Sequence, residues 1–288
     1  AATPCFFDPE SERFMSETKF EDIGLSPELV QAVSDMNYTQ ATGIQAQAIP
    51  LLMQGADVIG RSSTGTGKTA AFGIPAVERI ESGLKAPQVL VLSPTRELAM
   101  QIAGEIRKFA KYKPGVCVAA IYGGAPMDAQ IRALRAANIV IGTPGRVMDH
   151  MRRHTLRLDD LRTVVLDEAD EMLNMGFLDD IQTILAETPD TRQTVLFSAT
   201  MPPAILKITD EFLRDPQTVD IRTGQRTIAA VEQFFYRVPQ ARKMDALNLL
   251  LQYHDPKRAV VFCNTKAMVD SLTEYLGEHG FRALGIHG

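Results

Sequence analysis

The sequence predicts an α/β fold in which a parallel β-sheet is covered by helices on both faces. Short apolar runs rich in β-branched residues are continuous rather than alternating, as expected of strands buried on both faces. Helical stretches such as 97–112 and 127–136 separate them, an alternation typical of parallel strands joined by right-handed crossovers. In such sheets ligands bind at the carboxyl ends of the strands. The predicted strands are 58–59, 89–92, 116–121, 139–141, 164–166, 195–197 and 218–221.

Two helices are predicted before the first strand, and a second unit after the last. Ser26 and Pro27 suit the cap and first turn of one helix, and the other begins near Thr42. Residues 1–18 are expected to form a flexible tail. After the polar stretch 222–227, strands and helices alternate again, but over too short a length for a complete α/β domain. The predicted elements there are strands 233–238, 259–263 and 282–286 and helices 242–253 and 268–279.

A glycine-rich loop lies between the first predicted strand and a helix that begins at Lys68. Glycines allow several backbone N–H groups to point inward at a helix N-terminus, where they bind polyphosphate. We expect Lys68 to reach the outer phosphates and the Thr69 hydroxyl to ligate Mg²⁺. Ser62 occupies the first glycine position of the strict pattern, and an ordinary glycine-rich turn is the alternative. The predicted phosphate-binding residues are Ser63, Thr64, Gly65, Thr66, Gly67, Lys68 and Thr69.

Two acidic residues, Asp167 and Glu168, directly follow the predicted strand 164–166. In a parallel sheet that position brings them to the same edge as the phosphate loop. Asp167 is expected to hold Mg²⁺ through a water molecule, and Glu168 to orient or deprotonate an attacking water. Solvated turn residues are the alternative, but the apolar strand before them and the phosphate loop upstream favour a site that hydrolyses a nucleotide.

Composition excludes several classes of protein. With 288 residues, 45% hydrophobic and 23% charged, the chain is typical of a soluble globular protein without a membrane span. We see no signal peptide, and the widely separated cysteines form no metal or redox motif, so a cytoplasmic location is expected. Because the net charge is −5, nucleic acid must bind at a local basic patch. The arginine-rich stretch 132–162 is a candidate, with solvated helix faces as the alternative.

Asp167-Glu168-Ala169-Asp170 resembles the signature of the DEAD-box RNA helicases, and other stretches resemble that family's motifs in the family's order. The resemblance covers residues 20–288 and is nearest to the bacterial cold-shock-type members. It implies a RecA-like domain at 19–222, a linker at 223–232 and an incomplete second RecA-like domain at 233–288. The similar stretches are 94–99 (motif Ia), 123–124 (paired glycines), 143–146 (motif Ib), 198–200 (motif III) and 260–265 (motif IV).

The resemblance also implies an adenine-reading segment, the Q motif, at residues 37–45. An amide donates and accepts together, so Gln45 is expected to pair with the adenine edge. Tyr38 or Phe20 would stack on the base. The family usually has Gly and Pro where this chain has Asn37 and Ala41.

RNA contacts are implied in motifs Ia, Ib and IV and at the paired glycines. Such groups contact the RNA backbone and 2′-hydroxyls, so little sequence preference is expected. Asp170, Ser198 and Thr200 are expected to couple the acidic motif to the RNA side, with ordinary turns as the alternative. The residues implied in RNA binding are Pro94, Thr95, Arg96, Gly123, Gly124, Thr143, Gly145, Arg146, Asn264 and Thr265.

The resemblance therefore implies an ATP-dependent RNA helicase that uses ATP and Mg²⁺. The family's later motifs, which supply arginines to phosphoryl transfer, are not among these 288 residues, so we expect nucleotide binding with very slow hydrolysis and no unwinding. A DNA-directed superfamily 2 enzyme and an ATP-gated RNA clamp are the alternatives. Without Asn-Lys-x-Asp or His-Arg-Asp motifs, GTPases and kinases are disfavoured. An exposed sheet edge in the incomplete domain predicts self-association.

Overall fold

The computed structural model describes residues 18–62, 65–221 and 234–287. The chain divides into two compact units, residues 1–225 and 226–288, and each is described by itself. The predicted linker (223–232) and the predicted tail (1–18), apart from Thr18, lie outside the described residues. The predicted domain boundaries therefore stay predictions.

A parallel sheet forms the centre of the first unit, with seven strands in the described residues. The strands are β1 (Val58–Arg61), β2 (Val89–Leu92), β3 (Val118–Ile121), β4 (Ile139–Gly142), β5 (Thr163–Leu166), β6 (Gln193–Ser198) and β7 (Gln217–Asp220). Their order across the sheet is β3-β4-β2-β5-β6-β1-β7, and every neighbouring pair is parallel. All carboxyl ends therefore meet at one edge.

Helices connect the strands and cover the sheet. Those of the first unit are α1 (Pro27–Asp35), α2 (Gly43–Met53), α3 (Lys68–Glu78), α4 (Arg96–Phe109), α5 (Met127–Leu134), α6 (Pro144–Arg152), α7 (Ala169–Asn174), α8 (Leu178–Ala186) and α9 (Pro203–Phe212). A short 3₁₀ helix, Phe20–Ile23, precedes them. The helix starts predicted at Pro27, near Thr42 and at Lys68 are confirmed.

Both faces of the inner strands are buried, because alternate residues enter different hydrophobic clusters. In the edge strand β7 only Val219 is buried. Val89 and Val91 pack in one cluster with Phe109 of α4. Leu90 and Leu92 pack in the other, which also contains residues of α8 and α9. Two-sided burial explains why the strand sequences are continuous apolar runs. The predicted fold class, a parallel sheet flanked by helices, is confirmed.

The described part of the second unit contains two α-helices, α10 (Lys243–His254) and α11 (Lys266–Glu278), close to the predicted positions, and a short 3₁₀ helix, Gln240–Arg242. The strands predicted at 233–238, 259–263 and 282–286 are wrong, since the part of the second unit that is described contains no strand. A strand is stabilised by a hydrogen-bonded neighbour and by packing on its faces. The described part of this unit has no hydrogen-bonded neighbouring strand, and Phe235 is 81%, Phe262 93% and Leu284 92% exposed.

Candidate nucleotide and nucleic-acid site

The loops at the carboxyl edge of the sheet carry the predicted motifs in two groups. After β3, β4 and β2 come the paired glycines (123–124), motif Ib (143–146) and motif Ia (94–99). After β5, β6 and β1 come the acidic motif (167–170), motif III (198–200) and the phosphate loop. The strand order therefore separates the residues expected at RNA from those expected at the nucleotide, and the acidic motif lies at their border.

The phosphate loop bends at two glycines in the left-handed region. Gly65 has a φ of 81° and Gly67 a φ of 90°, a conformation that glycine adopts without steric cost. A Cβ added at Gly67 would also lie 2.3 Å from Nε2 of Gln45, so the Gln45 side chain would have to move. Lys68, which is buried, begins α3, so the N–H groups of that helix N-terminus face the loop and favour an anion.

Ser62 is accommodated in the loop by a hydrogen bond that the sequence pattern did not reveal. Its side chain is fully buried, and its Oγ accepts a hydrogen bond from Oγ1 of Thr66 at 3.0 Å. The Ser62 hydroxyl, at the first glycine position of the pattern, thus connects the start of the loop to Thr66 near its end. Ser63 and Thr64, between these two residues, lie outside the described residues.

The predicted Q motif and the phosphate loop line one pocket of about 270 Å³. Gln45, in the first turn of α2, joins them: its Oε1 accepts from the N–H of Thr42 at 2.8 Å, and its Nε2 donates to the carbonyl of Gly67 at 3.1 Å. The Thr42 hydroxyl donates to the carbonyl of Thr66 at 2.9 Å. The lining residues are Asn37, Tyr38, Thr39, Gln40, Thr42, Gln45, Gly65 and Gly67.

The two departures from the family's Q motif have structural explanations. Asn37 adopts a φ of 59°, in the left-handed region where glycine is favoured and asparagine is the next most tolerant residue. Ala41 is buried in a hydrophobic cluster, and its N–H donates to the carbonyl of Thr18. The segment is therefore held in place without the usual Gly and Pro.

The two aromatic residues predicted to stack on adenine lie in different environments. Tyr38 lines the pocket, and the centroid of its ring lies 6.2 Å from that of Phe20 and 6.4 Å from that of Phe109. Phe20 is only 3% exposed and belongs to a core cluster. Stacking by Tyr38 fits this arrangement, whereas stacking by Phe20 would require its ring to leave the core.

The acidic pair follows β5, as predicted. Burial raises the pKa of Asp167 to about 6, against the lowering effect of the Lys68 charge and with a smaller raising effect of Glu168. One carboxylate oxygen, Oδ1, accepts a hydrogen bond from the N–H of Glu168 at 3.1 Å. A carboxylate that is destabilised by burial gains from an additional cation nearby. The electrostatics therefore suit a positively charged ligand.

The oxygen donors at this site fit a magnesium ion. Mg²⁺ prefers oxygen ligands and is usually held by one or two carboxylates together with phosphate oxygens and water. Asp167 supplies a carboxylate and Thr69, in the first turn of α3, supplies a hydroxyl. No group of three His, Cys, Asp or Glu side chains within 18–62, 65–221 and 234–287 could hold a metal ion alone. Asp167 and Thr69 would contribute to a site whose remaining ligands are phosphate oxygens and water.

Motif III is hydrogen-bonded to the acidic motif. Oδ2 of Asp170 accepts from the N–H of Thr200 at 2.9 Å and from its hydroxyl at 2.8 Å. The Ser198 hydroxyl donates to the carbonyl of Thr200 at 2.6 Å. Burial alone would raise the pKa of Asp170, but the hydrogen bonds from Thr200 lower it overall. The structure therefore brings together the three residues predicted to couple the two sides.

Motif Ia and the paired glycines are neighbours. Pro94 is buried, and the Thr95 hydroxyl caps α4 by accepting from the N–H of Leu98 at 3.2 Å. Arg96 is half exposed, and its Nη1 would lie 3.7 Å from a Cβ added at Gly124. Both Gly123 and Gly124 are exposed. A cationic side chain and a side-chain-free turn thus share one patch of surface.

Motif Ib also supports the patch formed by Arg96, Gly123 and Gly124. Thr143 immediately precedes α6, and Gly145 and Arg146 lie in its first turn. The Arg146 side chain is mostly buried, and its Nη1 donates to the carbonyl of Ala125 at 3.1 Å. Arg146 therefore holds the glycine turn in addition to contributing charge. In the second unit Thr265 caps α11 and Asn264 is exposed.

Comparison with known proteins decides the family. The profile of the DEAD/DEAH box helicases matches residues 42–208. The chain belongs to this family. A DEAD-box ATP-dependent RNA helicase CshA from Bacillus cereus is 47% identical over 272 residues, 94% of this chain and 52% of that protein. Its counterpart from Geobacillus kaustophilus is 48% identical, over 94% and 58%. The chain thus spans about half the length of the curated relatives it matches.

A solved structure gives the same answer. The crystal structure of a DEAD box protein from the hyperthermophile Methanococcus jannaschii aligns with a TM-score of 0.69 and 37% identity, over 95% of this chain and 74% of that one. The resemblance and the RecA-like fold predicted from the sequence are confirmed. None of the helices in the described parts of this DEAD-box chain has the length and apolarity that crossing a membrane requires.

Two buried polar residues of this DEAD-box chain were missed by the sequence analysis. Gln130 and His150 lie on the inner faces of α5 and α6, and both are almost fully buried. The signal for them is a polar residue at a helix position that faces the interior. That face is known only once the neighbouring elements are placed, so the sequence alone left both among ordinary surface polar residues.

Proposed function

We propose that this chain is the nucleotide-binding part of an ATP-dependent RNA helicase and binds ATP, Mg²⁺ and RNA. The observation that carries the proposal is the strand order. It places the phosphate loop and the acidic pair on one half of the sheet edge and the exposed Arg96–Gly124 patch on the other. The names of the relatives support the same activity. A cytoplasmic location is proposed with it.

Nucleotide binding follows from the pocket. Tyr38, which lines the pocket, would stack on the base. Gln45 keeps one amide hydrogen and one lone pair for the adenine edge besides its contacts with Thr42 and Gly67. The amides at the start of α3 and the Lys68 ammonium bind the phosphates. Thr69 and Asp167 would hold Mg²⁺, which neutralises phosphate charge when bound. Glu168, next to Asp167, would orient or deprotonate the attacking water.

RNA binding is proposed at the exposed patch of Arg96, Gly123 and Gly124, with Thr95, Thr143, Gly145 and Arg146 beneath or beside it. Exposed backbone N–H groups and one guanidinium suit phosphate and ribose rather than base edges. The hydrogen bonds between Thr200 and Asp170 would transmit a change at the acidic motif to the RNA-binding side of the sheet edge. A role of Asn264 and Thr265 at RNA remains part of the proposal.

The 288 residues alone are proposed to bind nucleotide, to hydrolyse ATP slowly and not to unwind duplexes. The arginines of later motifs, absent from this sequence, would contribute about 10³ to 10⁵ in rate, as such groups do in NTPases. Self-association through the exposed apolar residues of the second unit is also proposed.

The direct test is titration of the chain with a fluorescent ATP analogue and Mg²⁺. Lys68→Ala should weaken binding about 10- to 100-fold, because it removes a buried ammonium from the phosphate site. Lys108→Ala, on the exposed side of α4, is the matched control and should leave the affinity unchanged. Equal affinities of Lys68→Ala and the control would remove the basis of the proposal.

The nucleic acid is tested on a version of the chain extended to the length of its relatives. RNA should stimulate ATP hydrolysis and DNA should not; the reverse result would indicate a DNA-directed enzyme.

Glu168→Gln should retain nucleotide affinity and lose hydrolysis, since its amide cannot accept a proton from water. If ATP hydrolysis persists in Glu168→Gln, the proposed role of Glu168 is wrong.

A further inference from the structure

The buried side chain of Gln130 contacts the backbone at both ends of the turn formed by Gly123 and Gly124. Nε2 of Gln130 donates to the carbonyl of Tyr122 at 3.1 Å and lies 3.4 Å from the carbonyl of Ala125. These two carbonyls immediately flank Gly123 and Gly124. A Cβ added at Gly123 would have no heavy atom within 4 Å, and one added at Gly124 would meet only Nη1 of Arg96, at 3.7 Å. The conformation of the turn therefore depends on bonds made by its flanking carbonyls.

His150 fixes the orientation of the Gln130 amide from the side opposite the two carbonyls. Because the amide nitrogen must face the two carbonyls, Oε1 faces Nε2 of His150, 3.3 Å away. A neutral His150 then donates from Nε2 and presents Nδ1 as an acceptor to the Thr155 hydroxyl. That hydroxyl lies 2.8 Å from Nδ1 and 3.1 Å from the His150 carbonyl, so its one proton is shared between them. Burial lowers the pKa of His150, which favours this neutral form. One chain of hydrogen bonds thus runs from Thr155 through His150 and Gln130 to the turn.

The contacts of Gln130 and His150 also connect the elements that carry the proposed RNA contacts. Gln130 lies on α5, and His150 lies on α6, whose first turn contains Gly145 and Arg146. Arg146 donates to the carbonyl of Ala125, which Gln130 also approaches. Backbone groups bind phosphate well only when they are preorganised, since ordering a free loop on binding has an entropic cost.

We propose that Gln130, oriented by His150, is a positioning residue for RNA binding that holds the amides of Gly123 and Gly124 ready for the RNA backbone. Neither side chain reaches the surface, so neither touches RNA itself. The inference rests on the proposed function, because it assigns a role within the same RNA site.

The test compares Gln130→Met with the wild-type chain, since methionine has similar length but cannot donate to the carbonyls. With ¹⁵N-labelled glycine, the order parameters of Gly123 and Gly124 should fall from about 0.85 to below about 0.6. Affinity for a labelled single-stranded RNA, measured by anisotropy at constant salt with a non-hydrolysable ATP analogue, should fall about tenfold. Affinity for the nucleotide should stay within about twofold.

A second pair of variants separates positioning from general stability. His150→Gln retains a donor towards Gln130 and an acceptor towards Thr155, so it should bind RNA as wild type does; His150→Leu retains neither and should behave like Gln130→Met. Unchanged RNA affinity in Gln130→Met, or a parallel loss of RNA and nucleotide binding in all variants, would overturn the inference. If the wild-type chain binds nucleotide but no RNA, the proposed function fails and the positioning role fails with it.

Discussion

Glu168 combines its proposed catalytic role with an unfavourable backbone conformation. It lies between β5 and α7 with φ and ψ both 51°, a left-handed conformation that costs a residue with a Cβ about 1–2 kcal/mol. Strain of this kind persists only where the surrounding structure imposes it, and it is common at functional sites. Here it lies at the turn that leads the chain from β5 into α7.

Glu168→Gly should therefore stabilise the fold while it removes the carboxylate. Relief of the left-handed strain outweighs the greater flexibility of glycine in the unfolded chain, so we expect a gain of about 0.5–1 kcal/mol over Glu168→Gln in urea unfolding. Comparison with Glu168→Gln isolates the backbone effect, since both variants lack the acid. Glu171→Gly, at an ordinary helical position of α7, should lose about 1 kcal/mol. A less stable Glu168→Gly would show that the conformation is not strained.

Individual residues also show how far the sequence could predict this site. Lys68, Asp167 and Asp170 could be placed because a strand end and its loop fix them locally. Ser62 and Asn37 could only be noted as departures, since a buried hydroxyl bond and a left-handed φ depend on atoms elsewhere in the fold. Residue type and spacing thus predict which chemistry is present, while the contacts that support it come from the tertiary structure.

The helices α5 and α6 make a prediction about pH through His150. Burial lowers the pKa of His150 from its ordinary 6.5, and the charges of Arg146 and Arg153 lower it further against the opposing effect of Asp149. As the pH falls through 6.5, the unfolded chain therefore binds a proton that the folded chain does not. Stability attributable to His150 is present above that pH and is lost below it.

His150→Gln should remove this dependence without breaking the hydrogen bonds. Between about pH 7 and pH 5, the midpoint of urea unfolding should fall more in the wild type than in His150→Gln, because glutamine does not titrate. The comparison cancels the contribution of other titrating groups. Identical falls in the two proteins would mean that His150 has the same pKa folded and unfolded.

A comparison of the strands predicted in the two units explains why the strand predictions failed in the second. The apolar runs of β2 and β5 and the run at 259–263 are similar in sequence. In the first unit each run has hydrogen-bonded neighbours and helices on both faces, whereas residues 260–262 remain exposed. Strand propensity expresses a fit to a packed sheet. A sequence pattern alone cannot show whether that sheet is assembled.

At the scale of the whole molecule, the first unit has two continuous hydrophobic clusters, while the second presents large apolar side chains to solvent. In the described part of the second unit Phe234, Phe235 and Phe262 are all at least 65% exposed. Exposed apolar residues at this density promote association, because contact with another copy removes them from water. The 288-residue chain should therefore self-associate at micromolar concentration.

The variant Phe235→Lys with Phe262→Lys should weaken that association about tenfold or more, since two apolar contacts are replaced by like charges. Sedimentation velocity over a concentration series measures the effect. The control carries Met175→Lys with Leu206→Lys, two exposed apolar residues of the first unit, so it has the same added charge. If the control reduces association equally, net charge is responsible and not the second unit. Reduction only in the Phe235 and Phe262 variant assigns association to the apolar surface of residues 234–287.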